Sequence, residues 1–201
     1  MNDENIKAAL DGKVKKYYEK IRYIDTIYSV FYSMRFGDKR WDELYGISPA
    51  FFSVVRKSLS YYFIIGLCNF FERDNRSGLN ISRFINEVIS TFETNKCSIP
   101  EDILEFKSYI DSNKDLIKRL MTHRDKYIAH FDKDYFLDES SLENDAPLYP
   151  VEIESMITKT LHFIGTLNFI VSEEITSAEY YNKNDYIKLF GLYEKAINKK
   201  Q

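Results

Sequence analysis

The segment THRDKYIAHFDKD, residues 122–134, holds two of the chain's three histidines, His123 and His130, together with one arginine. The guanidinium of that arginine, Arg124, is a permanent fork of hydrogen-bond donors for a phosphate. The imidazole of His130 can take or give a proton near neutral pH. Such a pair is sufficient for metal-free cleavage of RNA, in which the 2′-hydroxyl attacks the adjacent phosphate while the arginine holds the charge that builds on its oxygens. This chemistry needs no cofactor.

Two other kinds of site fit the segment less well. The tetrapeptide HRDK resembles the catalytic loop of a protein kinase, but that loop needs an asparagine where His130 stands, and the sequence has no DFG and no glycine-rich phosphate loop. A zinc site fails on distance, because His123 and His130 would lie two helical turns, roughly 10 Å, apart. The sequence therefore predicts no metal site here.

Charge extends the candidate site beyond the pair formed by Arg124 and His130. Residues 114–133 carry six basic and three acidic side chains, in a chain whose net charge is -3. We predict catalytic roles for Arg124, His130 and Asp125, with Asp125 orienting the arginine or capping a helix. The predicted substrate contacts are Lys126, His123, Lys118 and Arg119. Each role has a structural alternative. Arg124 and Asp125 could form a plain surface ion pair, His130 could be packed in the core, and the basic residues could belong to a solvated helix face.

Apolar residues recur at steps of three and four, and no segment alternates as a strand would, so helices must position these groups. The stripes are Leu10, Val14, Tyr17, Ile21, Ile24, Tyr28 and Phe31; Ile81, Phe84, Ile85, Val88, Ile89 and Phe92; Ile153, Met156, Ile157, Leu161, Ile164 and Leu167; and, from about Asp185, Tyr186, Leu189, Phe190, Tyr193 and Ile197. The pattern predicts an all-α fold, an up-down four-helix bundle core with additional shorter helices.

Local signals predict where two further helices begin. Ser48 and Pro49 are the N-cap and first residue of a helix that is apolar on most sides, which favours a central place in the bundle. SIPE at 98–101 predicts a capping box, with a helix that runs to about Met121. From Asp132 to Tyr149 the sequence is acidic and rich in turn residues, which predicts a surface loop.

Composition limits the class of protein. A chain of 201 residues with 44% apolar and 29% charged residues predicts one soluble domain, 1–201. The longest apolar window, residues 61–71, is too short to span a membrane, and the first residues do not resemble a signal peptide. Two cysteines without metal-ligand spacing favour the reducing cytoplasm.

The segment RDKYIAH resembles the R-x(4–6)-H signature of the HEPN family, with Arg124 and His130 in its fixed positions and five residues between. The order of helices, the FFERD that ends the second long helix and the unit RDKYIAHFDKD are similar to the abortive-infection branch of that family. The resemblance implies a metal-independent endoribonuclease acting as a toxin or phage-defence effector, with RNA as substrate and an antitoxin or defence protein as a possible partner. A catalytically silent HEPN-fold dimer that binds a partner or senses a nucleotide is the alternative.

One position departs from the family pattern. HEPN toxins paired with nucleotidyltransferase antitoxins often carry a tyrosine two residues after the histidine, where Asp132 stands in this chain. Modification of that tyrosine is therefore not open to this protein.

Helical geometry limits how Arg124 and His130 could act together. Positions six apart on an α-helix are rotated by roughly 120°, so Arg124 and His130 would point in different directions. Either Thr122 and Asp125 form a capping box that starts a new helix near His123, or a two-fold partner brings the second set of groups. The resemblance implies the second arrangement, a homodimer with the motif at its interface. The acidic loop at about 132–149 would then fold away from the site, cover it as a brake, or simply connect two helices.

Overall fold

The computed structural model describes residues 2–34, 39–72, 80–129 and 139–172, and it is helical in all four stretches. The predicted all-α class is confirmed. In chain order the helices are α1 (Asn2–Ser33), α2 (Lys39–Ile47), α3 (Pro49–Phe71), α4 (Ile81–Thr94), α5 (Glu101–Ser112), α6 (Lys114–Thr122), a π-helical segment (His123–Ala129), α7 (Glu139–Asp145) and α8 (Pro150–Ser172). The helix predicted from about Asp185 lies outside the described residues.

The described residues form two compact units. The first contains residues 2–21, 64–72, 80–129 and 139–172, and the second contains residues 22–34 and 39–63. A single domain and an up-down four-helix bundle remain predictions.

The core of the first unit is built from the predicted stripes. Val14 and Ile21 of α1, Ile85 and Val88 of α4, and Leu167 of α8 are all at most 1% exposed. Aromatic rings join these helices in series. Tyr17 stacks on Phe84 with ring centroids 4.2 Å apart, Phe84 meets Phe163 edge-on at 6.4 Å, and Phe163 stacks on Phe106 at 4.4 Å. Burial of these apolar faces is what holds α1, α4, α5 and α8 together.

The second unit has a smaller core around α2. Trp41, Leu44 and Tyr45 of that helix are buried with Met34, and Phe52 of α3 packs against them. Pro49 begins α3 as predicted. The first turns of α3 nevertheless expose Phe51 and Val54 by 60% and 65%, so a helix buried on most sides is found only from Phe63 onward.

By length and composition, α3 is the one helix in the described part of the chain that could cross a membrane. Core helices of soluble proteins satisfy the same two criteria, so this is weak evidence for a membrane span.

Two predictions about the middle of the chain are wrong. Pro100 stands at the N-cap of α5 without any side-chain cap, so the SIPE capping box does not form. The helix also does not run on to Met121, because it ends at Ser112 and α6 begins at Lys114. At this break the Tyr109 carbonyl accepts twice from Asn113, from its side-chain amide at 2.8 Å and from its backbone N–H at 3.1 Å.

The predicted acidic loop at 132–149 is wrong over residues 139–145, which form α7. The reason is packing, because Leu142 on α7 and Ala146 just after it are buried at 4% and 1% exposure. Residues 132–138 lie outside the described residues.

We expect Phe163→Ala to lower the free energy of unfolding by about 3–5 kcal/mol, since it removes a ring that contacts both Phe84 and Phe106. Phe169→Ala on the same helix, where the ring is 60% exposed, is the matched control and should change stability by less than about 0.5 kcal/mol. Urea unfolding followed by circular dichroism measures both, and equal effects would contradict the core described here.

Candidate active site

The candidate segment is a direct continuation of α6 and not a new helix. The backbone at His123 is helical (φ -59°, ψ -46°), and π-helical turns follow as far as Ala129. The hydroxyl of Thr122 donates back to the Lys118 carbonyl at 3.1 Å. The predicted Thr122–Asp125 capping box is therefore wrong. A π-helical turn is rare, and such turns are frequently found at functional sites.

Arg124 lies in this π-helical segment and is held by two carboxylates. Its Nη1 and Nη2 donate to the two oxygens of Glu72 at 2.6 and 2.9 Å, a bidentate pair. Its Nε donates to Asp125 at 2.6 Å. The side chain of Arg124 is only 19% exposed and that of Glu72 30%. The bonds from Glu72 first, and then from Asp125, raise the pKa of Arg124, so the guanidinium is a permanent cation.

Glu72 is placed by the end of α3. Its backbone N–H donates to the Cys68 carbonyl at 2.9 Å, and its own carbonyl accepts from the side-chain amide of Asn80. One turn earlier the thiol of Cys68 donates to the Leu120 carbonyl at 3.3 Å, which seats the end of α3 against α6. Burial raises the pKa of the Cys68 thiol to about 12, so it is not a nucleophile.

Sequence reasoning missed Glu72 as a site residue. The FFERD segment contributes to the family resemblance, but the sequence pattern assigns no role to its glutamate. The available signal was a carboxylate directly after an apolar helix, where an unpaired charge would be costly to bury.

Arg124 keeps part of its hydrogen-bonding capacity. A guanidinium has five N–H donors, and described residues take three of those of Arg124. One N–H on Nη1 and one on Nη2 are left for a ligand. The end-on fork is occupied by Glu72, so these two N–H groups point away from different edges of the guanidinium, and each can donate one hydrogen bond to a phosphate oxygen.

Arg119 is engaged more completely. It forms a bidentate pair with Glu152 at 2.9 and 2.7 Å, and its Nε donates to Asp115 at 2.9 Å. Its Nη1 also donates to the Pro147 carbonyl. Hydrogen bonding to Glu152 is the main cause that raises the pKa of Arg119. This arginine ties α6 to the start of α8, and its predicted contact with RNA stays a prediction.

His123 lies on the same side of the helical run as Arg119. Its Nε2 is 2.7 Å from the Ala146 carbonyl, which can only accept, so Nε2 carries the proton in this contact. Burial lowers the pKa of His123 from its usual range, against the opposing effects of the Ala146 hydrogen bond and of Glu143. This hydrogen bond from the imidazole to the Ala146 carbonyl links the residues after α7 to the π-helical segment.

The other predicted site residues are divided between the surface and the undescribed part of the chain. Lys118 and Lys126 are exposed. His130 lies outside the described residues, as does Asp132. In the described ranges no cluster of three or more His, Cys, Asp and Glu side chains has a metal-binding arrangement. The structure thus brings Arg124, Asp125 and Glu72 together and sets Arg119 and His123 against residues 146–152.

A comparison with protein families decides the identity of the chain. The family model HEPN_AbiU2, described as AbiU2, matches residues 7–189. The chain belongs to this family. No curated protein and no solved structure matches it.

Membership in the AbiU2 family confirms the resemblance to HEPN proteins of the abortive-infection branch. The match includes both positions of the R-x(4–6)-H signature, Arg124 and His130, and also Glu72.

The lowered pKa of His123 gives the AbiU2-family chain a testable pH dependence. Below about pH 6.5, His123 in the unfolded chain binds a proton, whereas the buried imidazole of the folded chain binds one only at lower pH. Protonation therefore favours the unfolded state as pH falls, so this contribution to stability is present at neutral pH and is lost in acid. We expect the melting temperature of His123→Gln to fall less between pH 7.5 and pH 5.5 than that of the wild type. His162→Gln, at an exposed histidine of α8, is the control. An unchanged pH profile in His123→Gln would contradict the assignment.

Proposed function

We propose that this protein is a metal-independent endoribonuclease that acts in the cytoplasm as a toxin or abortive-infection effector. One observation carries the proposal. Arg124, the arginine of the family signature, is held in one orientation by Glu72 and Asp125 and still has two N–H groups to donate. A fixed cation with two donors on one plane supports electrostatic stabilisation of a phosphate, because it needs no reorganisation when the reaction occurs.

The roles of the residues follow from their chemistry. Arg124 holds the scissile phosphate, His130 moves the proton of the 2′-hydroxyl or of the leaving group, and Asp125 with Glu72 sets the plane of the guanidinium. Lys126 is the exposed cation nearest in sequence and contacts the RNA backbone. Lys118 would contact the backbone at a neighbouring phosphate. His123, fastened to the Ala146 carbonyl, supports the segment from the other side.

Local charge favours a site shared between two subunits. Arg124 carries one positive charge, while Glu72 and Asp125 carry two negative charges within hydrogen-bonding distance of it. A phosphate approaching a single subunit therefore meets a group with net negative charge, which opposes binding. A second subunit placed across a two-fold axis would add cations to the same cleft.

The proposed roles favour the same arrangement, because they need an arginine and a histidine six positions apart in the sequence to act on one phosphate. A homodimer with the motif at its interface allows the arginine of one subunit to act with the histidine of the other.

The alternative is a catalytically silent HEPN-fold dimer that binds a partner protein or a nucleotide. The bidentate Arg124–Glu72 pair also supports this function, because it ties the end of α3 to the π-helical segment as a purely structural link would. Cleavage of RNA separates the two proposals.

We expect the purified protein to cut RNA in the presence of EDTA, leaving a 2′,3′-cyclic or 3′-phosphate and a 5′-hydroxyl. Arg124→Lys keeps the charge but loses the planar fork, and it should reduce cleavage about 10²- to 10³-fold. His130→Ala should remove a similar factor by abolishing proton transfer. Denaturing gels and end-group analysis of the products measure both.

Controls separate chemistry from folding. Lys159→Ala and His162→Ala, at exposed positions of α8, should cut RNA as the wild type does. Glu72→Gln keeps shape and one acceptor, and it should lower cleavage while the chain still melts cooperatively. A strict requirement for added Mg²⁺ or Mn²⁺, or loss of helical circular dichroism in Arg124→Lys, would contradict the proposal.

The shared site predicts complementation between two impaired variants. Arg124→Lys and His130→Ala are each strongly impaired alone, but mixed dimers contain one intact arginine and one intact histidine on opposite subunits. We expect mixing, with subunit exchange verified by native mass spectrometry, to restore cleavage. Exchange without restored cleavage, or an active monomer by light scattering, would show that one subunit suffices.

A further inference from the structure

A groove lies between α4 and α5. It has a volume of about 510 Å³ and is lined by side chains of three chemical kinds. Ile85 and Ile110 form an apolar floor, at 1% and 3% exposure. Arg83 and Lys107 are exposed cations on opposite helices, and Asn86 is an exposed amide. The volume falls within the range of pockets that hold small ligands, about 300–1,000 Å³.

The polar lining favours an anion. Asp111 is the one acidic residue of the lining, and it pairs with Lys114 at 3.3 Å. Arg83 and Lys107 form no salt bridge with any described residue. The hydroxyl of Ser82, which also lines the groove, is buried and has no hydrogen-bond partner among the described residues.

The combination of floor, amide and cations is specific for one ligand chemistry. An apolar floor accepts the flat face of a base or the carbon skeleton of a ribose, and an asparagine amide can pair with the edge of a base. Two cations at the rim suit a phosphate. An acidic peptide would use the cations but would leave the apolar floor unexplained.

Asn80 connects this groove to the candidate active site. It lines the groove, its Oδ1 accepts from the Arg83 backbone N–H at 2.8 Å, and its side-chain amide donates to the carbonyl of Glu72. Glu72 in turn holds Arg124. The residue that caps α4 therefore also fixes the backbone of the residue that positions the arginine.

We propose that the α4–α5 groove binds a nucleotide unit, with the base or ribose on Ile85 and Ile110 and the phosphate held by Arg83 and Lys107. The nucleotide unit belongs either to the RNA strand or to a free mononucleotide. The first source deepens the proposed ribonuclease function by giving the strand a second point of attachment. The second source would add nucleotide sensing.

The test measures binding and not cleavage, so it can fail independently of the proposed ribonuclease activity. The probes are a short 2′-O-methyl oligoribonucleotide, which lacks the attacking hydroxyl, and adenosine 5′-monophosphate. For the double variant Arg83→Gln with Lys107→Gln we expect at least about a tenfold loss of affinity at low salt, as two charge-assisted contacts are removed. The salt slope for the oligonucleotide should fall by about 0.7 for each lost phosphate contact.

Matched variants distinguish binding in the groove from nonspecific electrostatic attraction to the protein surface. Lys16→Gln with Lys159→Gln removes the same charge from exposed positions elsewhere on the first unit and should leave binding unchanged. Asn86→Trp fills the groove without changing charge and should weaken binding even at high salt. Equal losses in both charge variants, or no effect of Asn86→Trp, would overturn the proposal.

The two probes identify the source of the nucleotide. Groove-dependent binding of the oligonucleotide alone supports a strand subsite, and groove-dependent binding of the mononucleotide supports a free ligand. Absence of groove-dependent binding by either probe overturns the proposal, whatever the Arg124 variants do to RNA cleavage.

Discussion

The bidentate contact between Arg124 and Glu72 is the interaction on which the geometry of the candidate site depends. It joins the last turn of α3 to the π-helical segment, across 52 positions of sequence. Both side chains are partly buried, so removing one partner would leave the other charge poorly solvated and destabilise the contact. The Cys68–Leu120 contact sets how closely α3 approaches α6, and so places Glu72 at bonding distance.

Two arginines of one helical run have different partners because of their spacing. Arg119 and Arg124 are five positions apart, which on an α-helix turns the side chains by roughly 140°. Arg119 meets Glu152 and the Pro147 carbonyl, while Arg124 meets Glu72. His123 is four positions after Arg119, shares its face and bonds to the Ala146 carbonyl. The segment that carries the signature is thus held from both sides, by α3 and by residues 146–152.

Sequence reasoning succeeded where structure is set locally and failed where it is set by distant contacts. The stripes of α1, α4 and α8 follow from a period of 3.6 residues, and their central residues are buried as predicted. The break at Asn113, the helix α7 and the π-helical turns have no periodic signal, since they depend on hydrogen bonds and packing supplied by other elements. Glu72 was missed for the same reason, and Arg119 was predicted to face RNA because its partner Glu152 lies 33 positions away.

Under the proposed function, the carboxylates around Arg124 do more than hold it in place. A phosphodiester in the ground state carries a single negative charge and must share the guanidinium with Glu72 and Asp125, so its binding is weak. Attack by the 2′-hydroxyl increases the charge on the phosphate oxygens, and the attraction to the two remaining N–H groups increases with it. An interaction that is stronger in the transition state than in the ground state lowers the barrier, whereas equal binding of both would not. The partial neutralisation of Arg124 therefore fits a catalytic arginine better than it fits one that only collects RNA.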